Sequence, residues 1–201
     1  MIKQSVISIW LVALVLLAGC SNEPPQIKLN GQSTILAFGD SLTQGVGANA
    51  QDSYPAVLER QLGVSVVNAG ISGQTSSQGL ARLEEVLEEH EPDLVILCYG
   101  GNDILRKQSM AKLEHNLDEM INIIKSSGSQ VLLVGVPKPS LLLSTLPLYD
   151  NVAKKHGIIA DLESLTDLLG QRDMKSDRVH LNAQGYQALA SALSEKIRIE
   201  H

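Results

Sequence analysis

At 201 residues the chain has room for one domain and hardly for two, and 44% apolar against 19% charged residues rules out a disordered polypeptide. Sixteen Lys and Arg against 22 Asp and Glu leave a net charge of −6, which excludes a phosphate-backbone partner, and aromatics at 3% exclude a stacking surface for single strands. Two cysteines cannot build a disulfide scaffold.

The first element is a targeting segment. Lys3 precedes an apolar run that begins at Ile7 and ends in Leu17-Ala18-Gly19-Cys20. From Ile7 to Gly19 the run is shorter than the roughly 20 residues a spanning helix needs. The four residues resemble a bacterial lipobox, which implies cleavage before Cys20 and acylation of its thiol and new amine. Residues 1–19 are then a signal peptide, 20–33 a lipidated tether and 34–201 the folded domain. Pro24-Pro25, Asn30 and Gly31 punctuate the tether. Ser21 after the cysteine, where Asp would signal inner-membrane retention, favours an outer-membrane address facing the periplasm.

From Thr34 onward short apolar runs alternate with amphipathic stretches. Strands are predicted at Ile35–Phe38, Val64–Val67, Leu94–Tyr99, Val131–Val136 and Ile158–Ala160. The longer ones lack clean alternation, as strands buried on both faces do. A helix capped by Ser53 ends at Gly63, and Leu80, Leu83 and Leu87 mark a second. Met110, Leu113, Leu117, Ile121 and Ile124 mark a third, stopped by Gly128. A fourth is predicted over Ser144–His156. The last is capped by Asn182 and carries Leu189, Leu193 and Ile197 on its apolar side. The alternation implies an α/β fold with a parallel sheet and helices on both faces. Right-handed crossovers bring every strand's C-terminal end to one edge.

Four segments meet at that edge: Gly39-Asp40-Ser41-Leu42, Asn68-Ala69-Gly70-Ile71-Ser72-Gly73, Gly100-Gly101-Asn102-Asp103 and Asp177-Arg178-Val179-His180. A Ser hydroxyl becomes a nucleophile when a neighbouring base takes its proton, and an imidazole suits that task at neutral pH. Asp177, three residues before His180, is placed to fix the ring's tautomer. Asn102 and the backbone N–H groups of Ser41 and Gly73 are candidate oxyanion donors. Asp40 and Asp103 read as loop braces. His90, His115, His156 and His201 read as solvated surface groups, and Cys98 as a buried apolar thiol.

Together these blocks resemble the SGNH (GDSL) hydrolase family, whose four letters fall on Ser41, Gly73, Asn102 and His180. The stretch NAGISGQTSSQGLARLEEVLEEHEPDLVIL followed by GGNDILR is especially similar to the bacterial thioesterase I, lysophospholipase and arylesterase group. The resemblance covers roughly Thr34 to Ile197. It implies a flavodoxin-like three-layer α/β/α sandwich, a five-stranded parallel sheet in the order 2-1-3-4-5, and a metal-free, cofactor-free serine hydrolase of esters or thioesters. Its substrate is then a small-molecule ester or lipid, with an envelope-polysaccharide O-acetylesterase as the alternative, and the chain is expected to act as a monomer. Two stretches depart from the group's pattern: Cys98-Tyr99, where an acidic or small pair is common, and 137–149. The leucines from Leu141 to Leu148 leave the fourth predicted strand on the active edge. They suit either an acyl-binding wall or the underside of the next helix.

Gly45-Val46-Gly47-Ala48-Asn49-Ala50 fits G-x-G-x-x-A, but it does not follow its strand directly and no acidic residue ends the second strand. A dinucleotide site is therefore not expected.

Overall fold

The computed structural model describes residues 25–139 and 143–200. In chain order its elements are β1 (Ile27–Asn30), β2 (Thr34–Gly39), α1 (Ser41–Gln44), α2 (Tyr54–Leu62), β3 (Ser65–Gly70), α3 (Ser76–Leu80), α4 (Leu83–His90) and β4 (Leu94–Cys98). There follow α5 (Gly101–Leu105), α6 (Met110–Ser126), β5 (Gln130–Val134), β6 (Pro137–Lys138), β7 (Ser144–Thr145), α7 (Pro147–His156), β8 (Ile159–Asp161), α8 (Ser164–Gly170), α9 (Ala183–Ser194) and β9 (Ile197–Glu200).

The main sheet has five strands in the order β3-β2-β4-β5-β8. Every pairing in it is parallel, with Ala37 opposite Asn68 on one side and Ile96 on the other. Counted among the sheet's own strands this is the order 2-1-3-4-5. Ile35 to Phe38 and Leu94 to Leu97 are wholly buried, because helices cover both faces. One layer is α2 with α8 and α9; the other is α3, α4, α6 and α7. Each fully buried Leu or Ile stabilises the fold by roughly 1.5–3 kcal/mol relative to exposure. This two-sided core therefore fixes the strand ends on which the site is built.

Four elements differ from the sequence reading. The last helix stops at Ser194, and Ile197–Glu200 is instead a strand paired in parallel with Ile27–Asn30. The reason is alternation: Ile27 and Leu29 point inward beside exposed Lys28 and Asn30, and Ile197 is buried beside exposed Arg198. Residues 27–33 thus belong to the domain and not to a tether. The predicted helix over 144–156 begins only at Pro147, which suits a first helical turn, while Ser144 and Thr145 pair antiparallel with Lys138 and Pro137. The face marked by Leu80, Leu83 and Leu87 is split into two helices at Ala81 and Arg82. Finally, α8 was not predicted, although Leu165, Leu168 and Leu169 have helical spacing and are buried.

Cys98 is buried, and burial pushes its thiol far above the usual range. His156 is not a solvated group: its ring is packed against Asp118, with Nε2 2.9 Å from the carboxylate. Cys20 and His201 lie outside the described residues.

Candidate active site

The site forms where β2, β3 and β4 end. At the end of β2 the chain turns sharply through Gly39. A Cβ there would collide with Thr43 and with the Cys98 carbonyl, so only glycine fits. Asp40 caps α1, its Oδ1 accepting the Leu42 N–H at 3.1 Å, and Ser41 stands in the first turn of the helix. Ser41's own N–H is left pointing out of the helix N-terminus.

His180 arrives from the far end of the chain. Asp177 Oδ1 accepts the N–H groups of Val179 and His180, each at 2.8 Å, which closes a tight turn. The other carboxylate oxygen lies 2.7 Å from His180 Nδ1, and His180 Nε2 lies 3.0 Å from Ser41 Oγ. Directly afterwards Asn182 caps α9 by accepting the Gly185 N–H at 3.0 Å, which anchors the turn. Partial burial works to raise the Asp177 pKa. The bonds from the His180 ring and from the two N–H groups outweigh it and hold the carboxyl below the usual range. An ionised Asp177 keeps the proton of a neutral His180 on Nδ1, leaving Nε2 to accept from Ser41.

Gly73 and Asn102 border the same cleft. Gly73 has φ of +79°, a conformation that side chains disfavour, and its carbonyl accepts from Arg106 Nη2 at 2.8 Å. Asn102 Nδ2 donates to the Gln74 carbonyl at 3.0 Å and to Asp40 Oδ2 at 3.2 Å. Both braces act as expected. Asp103 accepts the Ser76 N–H at 2.9 Å and the Ser76 hydroxyl at 2.6 Å, and Asn116 Nδ2 donates to that hydroxyl at 2.8 Å. The loop after β3 is thereby clamped to α5.

Asp40 is 2% exposed. Burial raises its pKa to about 6 against the lowering effects of the Leu42 N–H, Asn102 and His180. The folded protein therefore keeps a proton, between about pH 4 and pH 6, that the unfolded chain has lost. This carboxyl makes stability fall as pH rises through that window, by on the order of 3 kcal/mol in full. Urea unfolding of wild type and Asp40→Asn at pH 4.5 and pH 7 should show the difference between the two proteins shift in favour of the variant at the higher pH. A pH-independent difference would contradict the assignment.

The cleft has a volume of about 730 Å³, counting space open to solvent. Ser41, Gly73, Asn102 and His180 lie at one end, and Leu105, Val136, Leu143, Leu169 and Val179 form much of the wall. Leu105, Pro139, Leu143, Leu169 and Val179 continue into a second groove that extends the cleft toward Thr166 and Lys175. Of the leucines in the 141–148 stretch, Leu143 faces the cleft and Leu148 is core. Leu141 and Leu142 lie outside the described residues.

The profile of the GDSL-like Lipase/Acylhydrolase family matches residues 37–188, a span that contains every side chain of the site. The chain belongs to this family. Esterase TesA of Pseudomonas aeruginosa is 38% identical to this GDSL-like protein over 130 residues, 62% of this chain and 65% of the relative. The thioesterase 1/protease 1/lysophospholipase L1 of Escherichia coli is 40% identical over 109 residues, 53% of this chain and 52% of the relative. The chain thus spans between about half and two thirds of the length of these curated relatives. A crystal structure of TesA superposes with a TM-score of 0.71 at 31% identity, covering 81% of this chain and 94% of that one. The family match accounts for the fold and for the motif blocks. It leaves aside the residues that set the motif side chains in place, such as Gln74, Arg82 and Arg106, which motif reading did not single out. Their one signal in the sequence was that all three lie inside the stretches similar to the thioesterase I group.

Proposed function

We propose that this GDSL-like protein is a serine esterase that cleaves carboxylic esters or thioesters of medium-length acyl groups. The observation that carries the reading is the hydrogen-bonded line from Asp177 through His180 to Ser41, opening into an apolar cleft. Ser41 Oγ attacks the acyl carbon while its proton passes to His180 Nε2. The carbonyl oxygen becomes an oxyanion that accepts from the N–H groups of Ser41 and Gly73 and from Asn102 Nδ2. The tetrahedral adduct collapses, the C–O or C–S bond breaks, and His180 returns the proton to the departing alcohol or thiol. Water then repeats the sequence on the acyl-enzyme and releases the acid.

The acyl group lies along Leu105, Leu143 and Val179 in this reading. Each CH₂ buried there contributes up to about 0.8 kcal/mol. The kcat/KM for p-nitrophenyl octanoate should therefore exceed that for acetate by roughly 10- to 100-fold. Leu105→Ser and Leu143→Ser should each shrink the preference and spare acetate hydrolysis. Leu105 is 50% exposed, so its replacement does not threaten the core. If acetate proves the best substrate, the acyl-wall reading is wrong and an O-acetylesterase becomes the better description.

The same proposal assigns Cys20 as the lipid-bearing residue that fixes the enzyme to the bacterial envelope. It rests on Leu17-Ala18-Gly19-Cys20 and the apolar run before it. Among the described residues no helix is long and apolar enough to cross a membrane.

A further inference from the structure

Behind the loop that carries Gly73 lies a guanidinium group with an unusual set of partners. Arg82, at the break between α3 and α4, is partly buried and takes part in none of the ion pairs formed by the described residues. Its donors go to neutral oxygens. Nη2 reaches the Ala69 carbonyl at 2.7 Å, the Tyr99 hydroxyl at 2.8 Å and, more distantly, the Gly39 carbonyl at 3.4 Å. Nε donates to Gln74 Oε1 at 2.8 Å. The guanidinium also stacks over Phe38, 4.2 Å from the ring centroid. One side chain therefore touches the ends of β2 and β3 and the loop that follows β3.

Tyr99 closes the network. It is wholly buried, and its ring lies against Gly79, where any Cβ would clash with it. Its hydroxyl donates to Gln74 Oε1 at 2.9 Å. Burial pushes the phenol up to about 12, so it keeps the proton it donates. Gln74 thus has its side-chain oxygen held by two donors, while its backbone carbonyl accepts from Asn102 Nδ2 at 3.0 Å.

We propose that Gln74 is a positioning residue for the oxyanion site, its side chain locked by Arg82 and Tyr99 so that its backbone fixes both Asn102 and the adjoining Gly73 N–H. The inference rests on the esterase reading above, and specifically on Asn102 as an oxyanion donor. Gln74 lies between the two donors it serves: Gly73 precedes it in the chain, and Asn102 is bonded to its carbonyl. Without the lock, Arg82 Nε and the Tyr99 hydroxyl each lose an acceptor, and the loop gains freedom at the point where donor direction matters. Tyr99 belongs to one of the two stretches, Cys98-Tyr99 and 137–149, that depart from the group's sequence pattern, and the network gives it a role.

The test compares Gln74→Leu, Gln74→Glu and Tyr99→Phe, each checked for folding by thermal unfolding and by the fraction of enzyme labelled with a fluorophosphonate. Gln74→Leu should lower kcat by about 10- to 100-fold, with KM changed by less than about threefold, since misplaced donors act on the transition state. Gln74→Glu keeps an acceptor for both donors and should restore most of kcat. Tyr99→Phe removes one of the two donors and should fall between. In an Asn102→Ala background Gln74→Leu should cost much less than it does alone, because part of the loss runs through Asn102. If Asn102→Ala lowers kcat as expected but Gln74→Leu is as active as wild type, the positioning role is wrong and the esterase reading stands. Full additivity of the two losses would also overturn it. If Asn102→Ala itself has no effect on kcat, the oxyanion reading beneath the proposal is what fails.

Discussion

Ser41→Ala should lower kcat by about 10⁴-fold or more while leaving the fold unchanged. The hydroxyl's bond is the one to His180 Nε2, at 3.0 Å, so its removal strands no other group. Alanine also suits the first turn of α1, where Asp40 still caps the Leu42 N–H. On the proposed mechanism the loss is large because nucleophile and base act as a unit: without Ser41 Oγ, His180 has no proton to take. A fluorophosphonate should label wild type at Ser41 and leave the variant unlabelled. Ser72 and Ser76 serve as internal controls. Ser72 borders the cleft, while the Ser76 hydroxyl is bonded to Asp103 and Asn116 in the interior. Label on either, or a variant retaining a tenth of wild-type kcat, would remove Ser41 from the nucleophile's role.

The second largest effect is expected at Asn102. Asn102→Ala takes away one aimed donor and keeps Ser41 and His180, and the loss of one such donor typically costs about 10²–10³ in kcat, or roughly 3–4 kcal/mol. In the free protein the amide is bonded to the Gln74 carbonyl and, at the longer distance of 3.2 Å, to Asp40. An oxyanion would compete for the second of these bonds. The charge it meets exists only in the transition state, so kcat should fall far more than KM rises. Steady-state kinetics on p-nitrophenyl butyrate separates the two. An unchanged kcat with a raised KM would assign Asn102 to substrate binding.

Much of this arrangement was legible before any coordinates. The main strands are apolar runs with turn residues at both ends, so their existence and parallel direction followed from the alternation with helices, while their order came from the family resemblance. The segments after them could be sent to one edge on handedness alone. Asp177 and His180 were readable because their spacing closes a local turn. What escaped notice depends on residues that meet only in space. Ile197 stands four residues after Leu193 and so continues a helical face; only the alternation with Arg198 across to Ile199 argues otherwise, and its partner strand lies at the other end of the chain. Arg82 and Gln74 were not singled out in the sequence, where they stand eight positions apart. Nothing local says that the two bond to each other behind the catalytic edge.

The pairing of β1 with β9 also sets where the chain enters the domain. Ile27 lies beside Gln130 and Ile158, where β5 and β8 begin, and Gln130 Nε2 donates to the Lys28 carbonyl at 3.1 Å. The chain thus enters the domain underneath, at the pole opposite Ser41. The six residues from 21 to 26 that separate Cys20 from this strand reach roughly 20 Å when extended, at about 3.3 Å each. A domain held at Cys20 as proposed above, on so short a leash, would rest with that pole to the membrane and its mouth turned outward. It would then draw esters from the aqueous compartment above and leave the bilayer beneath it untouched.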